Sequence, residues 1–132
     1  MKFFLLDGGG AGLLYIGLFL LLVFTALAIL LEALIMVMFK YNLFKKALGH
    51  SSVANLASLA AGFVLISSAE DVFNLDDLSG YAAFFGVTVA IELLILYLCN
   101  KQKPFQRTLL VCVVMNLVTY FFLYLFAGAN SL

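Results

Sequence analysis

The sequence predicts an all-α integral membrane protein, with four transmembrane helices arranged as two duplicated, parallel helical hairpins. Three observations lead there. Of 132 residues, 66% are hydrophobic and 11% charged, with a mean hydropathy of +1.19. The charges are segregated between apolar runs long enough to cross a bilayer, about 20 residues as helix. Finally, one line is written twice: "FKKALGHSSVANLAS" at 44–58 returns as "FQRTLLVCVVMNLVT" at 105–119.

Four apolar segments mark the expected helices, at about 11–39, 47–69, 81–99 and 108–129. A helix satisfies its own backbone hydrogen bonds, which lipid requires. The first is longer than a bilayer needs, so it is expected to tilt or to extend past the outer surface. The preceding "MKFFLLDGGGAG" does not read as a cleaved signal, because Asp7 and the glycines break its short apolar run. The first helix is therefore expected to be retained.

Between the first and second helices lie Lys40, Lys45 and Lys46, and between the third and fourth lie Lys101, Lys103 and Arg107. The connection between the second and third holds Glu70, Asp71, Asp76 and Asp77 and no basic residue. Basic residues near helix ends stay in the cytoplasm, so loops 40–46 and 101–107 are expected inside and both termini outside, in a membrane of the bacterial inner (plasma) type.

The duplication gives a repeat at about 11–69 and another at about 79–129. At an offset of 60, Glu32 meets Glu92; at 61, Asn55 meets Asn116 and Ser58 meets Thr119. Each copy is a hairpin returning to its starting side, so both keep one orientation, related by a pseudo-two-fold axis along the membrane normal. Counted from the flanking basic residues, both Glu and both Asn lie about 12–13.5 Å deep, in a single layer. In the second helix Ser51, Asn55, Ser58 and Gly62 follow helical spacing and form a small polar stripe of the kind that lets helices approach closely. Thr25, Ala28 and Glu32, then Thr88 and Glu92, then Cys112, Asn116 and Thr119 form matching faces on the other three helices. The aromatic "TYFFLYLF" at 119–126 is expected to face lipid or another subunit.

A charged acid deep in the bilayer costs about 2.5–3.5 kcal/mol on insertion scales, so such residues face an interior or a cavity. Two acids at one depth are not expected to be ionised together. Two readings follow for the candidate residues Glu32, Asn55, Ser58, Glu92, Asn116 and Thr119. In one, they bind and release a proton, small cation or small polar solute along a path opening to the cytoplasm. In the other, they are interhelical hydrogen bonds in a non-catalytic assembly or accessory subunit that docks partner transmembrane helices. His50 is a candidate proton relay toward Glu32, although an interfacial His is more often simply solvated.

Other chemistry lacks support. No nucleophile–base arrangement points to an enzyme, and Cys99, Cys112 and His50 make no metal set. "DGGGAG" lacks the strand and the Lys of a phosphate loop, no cofactor is implied, and the few basic residues set topology rather than bind nucleic acid. Expected partners are the lipid bilayer, a second copy of the chain in a homo-oligomer, with a dimer favoured, and another membrane protein under the accessory reading.

Overall fold

The computed structural model describes residues 8–68 and 78–129, and these are all-helical: α1 (Gly8–Met38), α2 (Phe44–Ser68), α3 (Leu78–Cys99) and α4 (Phe105–Ala129). Each is long and apolar enough to cross a membrane, so the chain is an integral membrane protein with four candidate spans. Around the bundle each helix packs on its sequence neighbours, and α4 closes against α1. Among the described residues the diagonal pairs α1/α3 and α2/α4 do not pack, which leaves a central axis that all four helices face.

Helices α2 and α4 begin three residues before the expected positions. Their first turns take in Lys45, Lys46 and Arg107, charged residues that apolar patterning assigns to loops. Pro104 stands immediately before α4, where a missing N–H disturbs no helical bond, and its carbonyl accepts from Thr108 N at 3.2 Å. Helix α1 ends in a Schellman motif: Lys40 N donates to Val37 O at 2.8 Å and Tyr41 N to Met36 O at 2.7 Å. Lys40 occupies the left-handed position with φ 51°, where glycine is usual.

The side chains sort by face. Ala47, Ser51, Ala54, Ser58 and Gly62 of α2 turn inward, together with Ala28, Glu32 and Met36 of α1, Thr88, Glu92 and Leu96 of α3, and Thr108, Cys112, Asn116 and Thr119 of α4. Large apolar side chains cover the outside, as lipid allows: Phe63, Leu94, Leu117 and Tyr124 are exposed. The long α1 leaves Leu13, Tyr15 and Phe19 between 65% and 73% exposed, clear of its neighbours.

The "TYFFLYLF" segment departs from expectation at Tyr120. Its hydroxyl donates to Thr88 Oγ1 at 3.2 Å and its ring meets Phe85 edge-on at 5.0 Å. Four residues beyond Asn116, it shares the inward face, while Phe121, Phe122, Tyr124 and Leu125 are exposed. The acidic connection with Glu70, Asp71, Asp76 and Asp77, and the N-terminal Lys2 and Asp7, lie outside the described residues.

Candidate functional site

Glu32 and Glu92 reach the bundle axis from α1 and α3, and both are about 1% exposed. Their neighbours on the axis are short polar side chains of α2 and α4, because the interior faces of those helices carry Ser, Asn and Thr where a soluble bundle would carry Leu. Glu32 Oε2 accepts from Ser51 Oγ at 2.7 Å and from Asn55 Nδ2, both on α2. Its Oε1 faces Thr119 Oγ1 of α4 at 3.5 Å. Glu92 Oε2 accepts from Asn116 Nδ2 of α4 at 2.6 Å, and its Oε1 from Ser58 Oγ of α2 at 3.1 Å. The six expected layer residues therefore meet in one network tying each acid to both adjacent helices. Ser51, read from sequence only as part of a small stripe, is a direct partner of Glu32.

The donors are of two kinds. An amide nitrogen only donates, whereas a hydroxyl donates or accepts as it rotates. Ser58 has a second acceptor within reach, the Asn55 carbonyl at 3.1 Å. With Glu92 ionised, the Ser58 hydroxyl donates to Oε1; with Oε1 protonated, the acid donates to Ser58 and that hydroxyl turns to Asn55 O. Both states are hydrogen-bonded without any movement of a helix.

The layer forms the floor of a cavity of about 370 Å³ that extends away from the basic loops. Thr25 and Ala28 of α1, Leu59 of α2, Phe84 and Thr88 of α3 and Tyr120 of α4 line it, and no basic side chain among the described residues does. Phe84 lies back against α2 because residue 62 is glycine: a Cβ there would stand 2.9 Å from Phe84 Cζ. The wall residues carry little sequence signal, since an apolar residue on a cavity and one on lipid look alike in a hydropathy pattern.

On the opposite side of the layer, toward the basic loops, the axis is filled. Met36, Leu96, Val111 and Met115 are fully buried there with Tyr41. The expected opening toward those loops is thus replaced by an apolar plug, and the space lies on the other side.

Beyond the plug, Tyr41 is fully buried, with its hydroxyl 2.9 Å from Thr108 Oγ1. Burial holds its phenol above the usual tyrosine range, so it stays protonated at neutral pH. Lys103 Nζ lies 4.6 Å from the centroid of that ring and donates to Tyr41 O. Arg107 donates to Phe39 O at 2.9 Å and to Lys40 O at 3.2 Å. Lys103 of the second loop and Arg107 of the first turn of α4 thereby cap the C-terminal end of α1, where cations complement the helix dipole. His50 belongs to this end: its Nδ1 lies 3.2 Å from Asn42 Nδ2 and 3.1 Å from Asn100 Nδ2. No hydrogen bond among the described residues joins His50 to Glu32, and it does not line the cavity. Cys112 is buried with its Sγ 3.6 Å from Val89 O, while Cys99 is exposed. The described residues form no group of three or more His, Cys, Asp or Glu that could hold a metal ion.

Comparison with family models, curated proteins and solved structures finds no match to this chain.

Proposed function

We propose that the chain moves protons or small cations, or exchanges them for a small solute, across the membrane through the Glu32/Asn55/Glu92/Asn116 layer. The observation that carries this reading is Glu92 held between an amide and a rotatable serine hydroxyl on the floor of a cavity. A purely structural acid needs no open space beside it. The apolar plug argues for a carrier rather than an open pore, since passage requires Met36, Leu96 and Met115 to repack. Flux into proteoliposomes tests the reading: wild type should move protons or small cations above empty vesicles, and Glu32→Gln and Glu92→Gln, which keep size but cannot titrate, should lose it. Wild type at the level of empty vesicles, or both Gln variants conducting like wild type, would overturn it.

The same reading takes the chain as a duplicated hairpin with its basic loops in the cytoplasm and both termini outside. Matched bonds support the duplication. Asn55 Nδ2 lies 3.1 Å from Ser51 O and Asn116 Nδ2 3.0 Å from Cys112 O, each amide also holding the Glu of its own hairpin. Ser58 and Thr119 then each reach the Glu of the other hairpin. The exposed outer half of α1 favours a homodimer, and it also favours a second reading, an accessory subunit whose α1 docks another membrane protein. A stable partner in mild-detergent pull-downs, with no flux by the purified chain, would select the accessory role.

A further inference from the structure

We propose that the cavity above Glu32 and Glu92 binds organic monocations with an apolar body, ammonium compounds bearing a phenyl or branched alkyl group, and that such a cation replaces a proton at the layer. The proposal rests on the carrier reading, for which it names the substrate class.

Size is the first argument. A cavity of about 370 Å³ is in the range of small-molecule sites, roughly 300–1,000 Å³, and far exceeds what one inorganic ion fills. The distribution of oxygen is the second. A hard cation such as Ca²⁺ takes 6–8 oxygen ligands arranged around it, but here the carboxyls and amides lie on the floor while Phe24, Leu59 and Phe84 stand above, among the hydroxyls of Thr25, Thr88 and Tyr120, which bond to Leu21 O and to one another. Such a site solvates a charge at one end and an apolar group at the other. Aromatic rings in the wall add attraction for a cation, more so where water is excluded. Charge is the third argument, since among the described residues two acids and no basic side chain line the space.

Gly62 supplies an independent sign that the space is kept open. Any larger residue there would meet Phe84, and that ring, set back on α2, is what separates a cavity from a filled core.

Exchange with a proton follows from what faces the acids. From α1 and α3 they face one another; from α4 come Cys112 and Tyr120; α2 contributes Ser51, Asn55 and Ser58, none charged. Among the described residues no cation balances two carboxylates, so an arriving cation supplies the balance and the carboxyl proton leaves to water.

The test is calorimetric binding of benzyltrimethylammonium to the full chain in lipid nanodiscs. Its fixed charge keeps ligand protonation out of the result. Saturable binding is expected, with proton release and an affinity that falls by up to tenfold per unit decrease in pH. Neopentylbenzene, the same shape without the charge, should not bind saturably. Glu32→Gln and Glu92→Gln should each weaken binding at least tenfold. Gly62→Leu, which drives Phe84 inward without touching the acids, should abolish it, each variant being checked for cooperative thermal unfolding. No saturable binding to wild type, equal binding of the neutral analogue, or binding indifferent to all three variants overturns the proposal. If wild type fails to bind this probe yet carries protons or potassium in a Glu-dependent manner, the substrate class falls while the carrier reading stands. Binding without any flux leaves the site and removes the carrier.

Discussion

Ser58 Oγ stands 3.1 Å from Glu92 Oε1, on the neighbouring helix, and its proton has a choice of acceptors because the Asn55 carbonyl is equally close. The serine is a rotor that satisfies Glu92 in either protonation state. Ser58→Ala removes it without adding bulk. The expected cost in stability is small, about 0.6 kcal/mol, the average for interhelical hydrogen bonds in lipid, and no more than about 1.7 kcal/mol. Proton-dependent flux should fall several-fold more than that loss of fold accounts for. Thermal unfolding in detergent alongside proteoliposome flux separates the two, and a variant that is destabilised yet transports normally would make Ser58 a mere fastener.

Asn116 plays the complementary part, a pure donor to Glu92 Oε2 at 2.6 Å. Asn116→Leu leaves that buried oxygen without its amide, which costs about 1–3 kcal/mol, and Glu92→Leu leaves the amide with one of its two N–H groups unpaired, the other still reaching Cys112 O at 3.0 Å. In the double variant neither group is left alone. A double-mutant cycle should therefore recover about 1 kcal/mol or more relative to the sum of the singles. Additive effects would show that the pair is not coupled.

How much of this was legible in the sequence depends on which residues are considered. Long apolar runs gave four helices, and their ends erred where charge was taken as a stop: Lys45, Lys46 and Arg107 lie within first helical turns, where the adverse helix dipole costs an exposed cation less than about 1 kcal/mol. The polar layer was legible because Glu and Asn are rare enough in an apolar chain for their depth and spacing to be read. Its bonding pattern was not. The pairing of Thr119 with Glu32 spans 87 residues and depends on which helices touch. The same holds for Tyr41 and Thr108, 67 residues apart, and for Tyr120, whose apolar neighbours hid its inward direction.

Lys40 carries positive φ at the end of α1, a conformation that costs a non-glycine residue about 1–2 kcal/mol. Its carbonyl, held by Arg107, remains when the side chain is removed. Lys40→Gly is expected to raise stability by about 1 kcal/mol in detergent melts, while Lys40→Ala, which loses the same charge but keeps Cβ, should give no gain. Equal gains from both would trace the effect to charge instead of backbone.

The contact between Gly62 and Phe84 makes the cavity itself testable without any ligand. Alanine at position 62 gains about 1 kcal/mol of helix propensity over glycine, but its Cβ would sit 2.9 Å from Phe84 Cζ, so the ring must swing. The two effects oppose, and Gly62→Ala should change stability by less than about 1 kcal/mol. Its effect on access should be larger, because the Phe84 ring and Thr88 line the same cavity. In a Cys99→Ser background, Thr88→Cys should react with a small cationic thiosulfonate added on the side away from the basic loops. Addition of Gly62→Ala should slow that labelling, and Gly62→Leu should slow it further. Labelling of Thr88→Cys from the basic-loop side alone would place the opening beyond Met36 and Leu96, and would show that the plug, not the cavity, is the open end of the bundle.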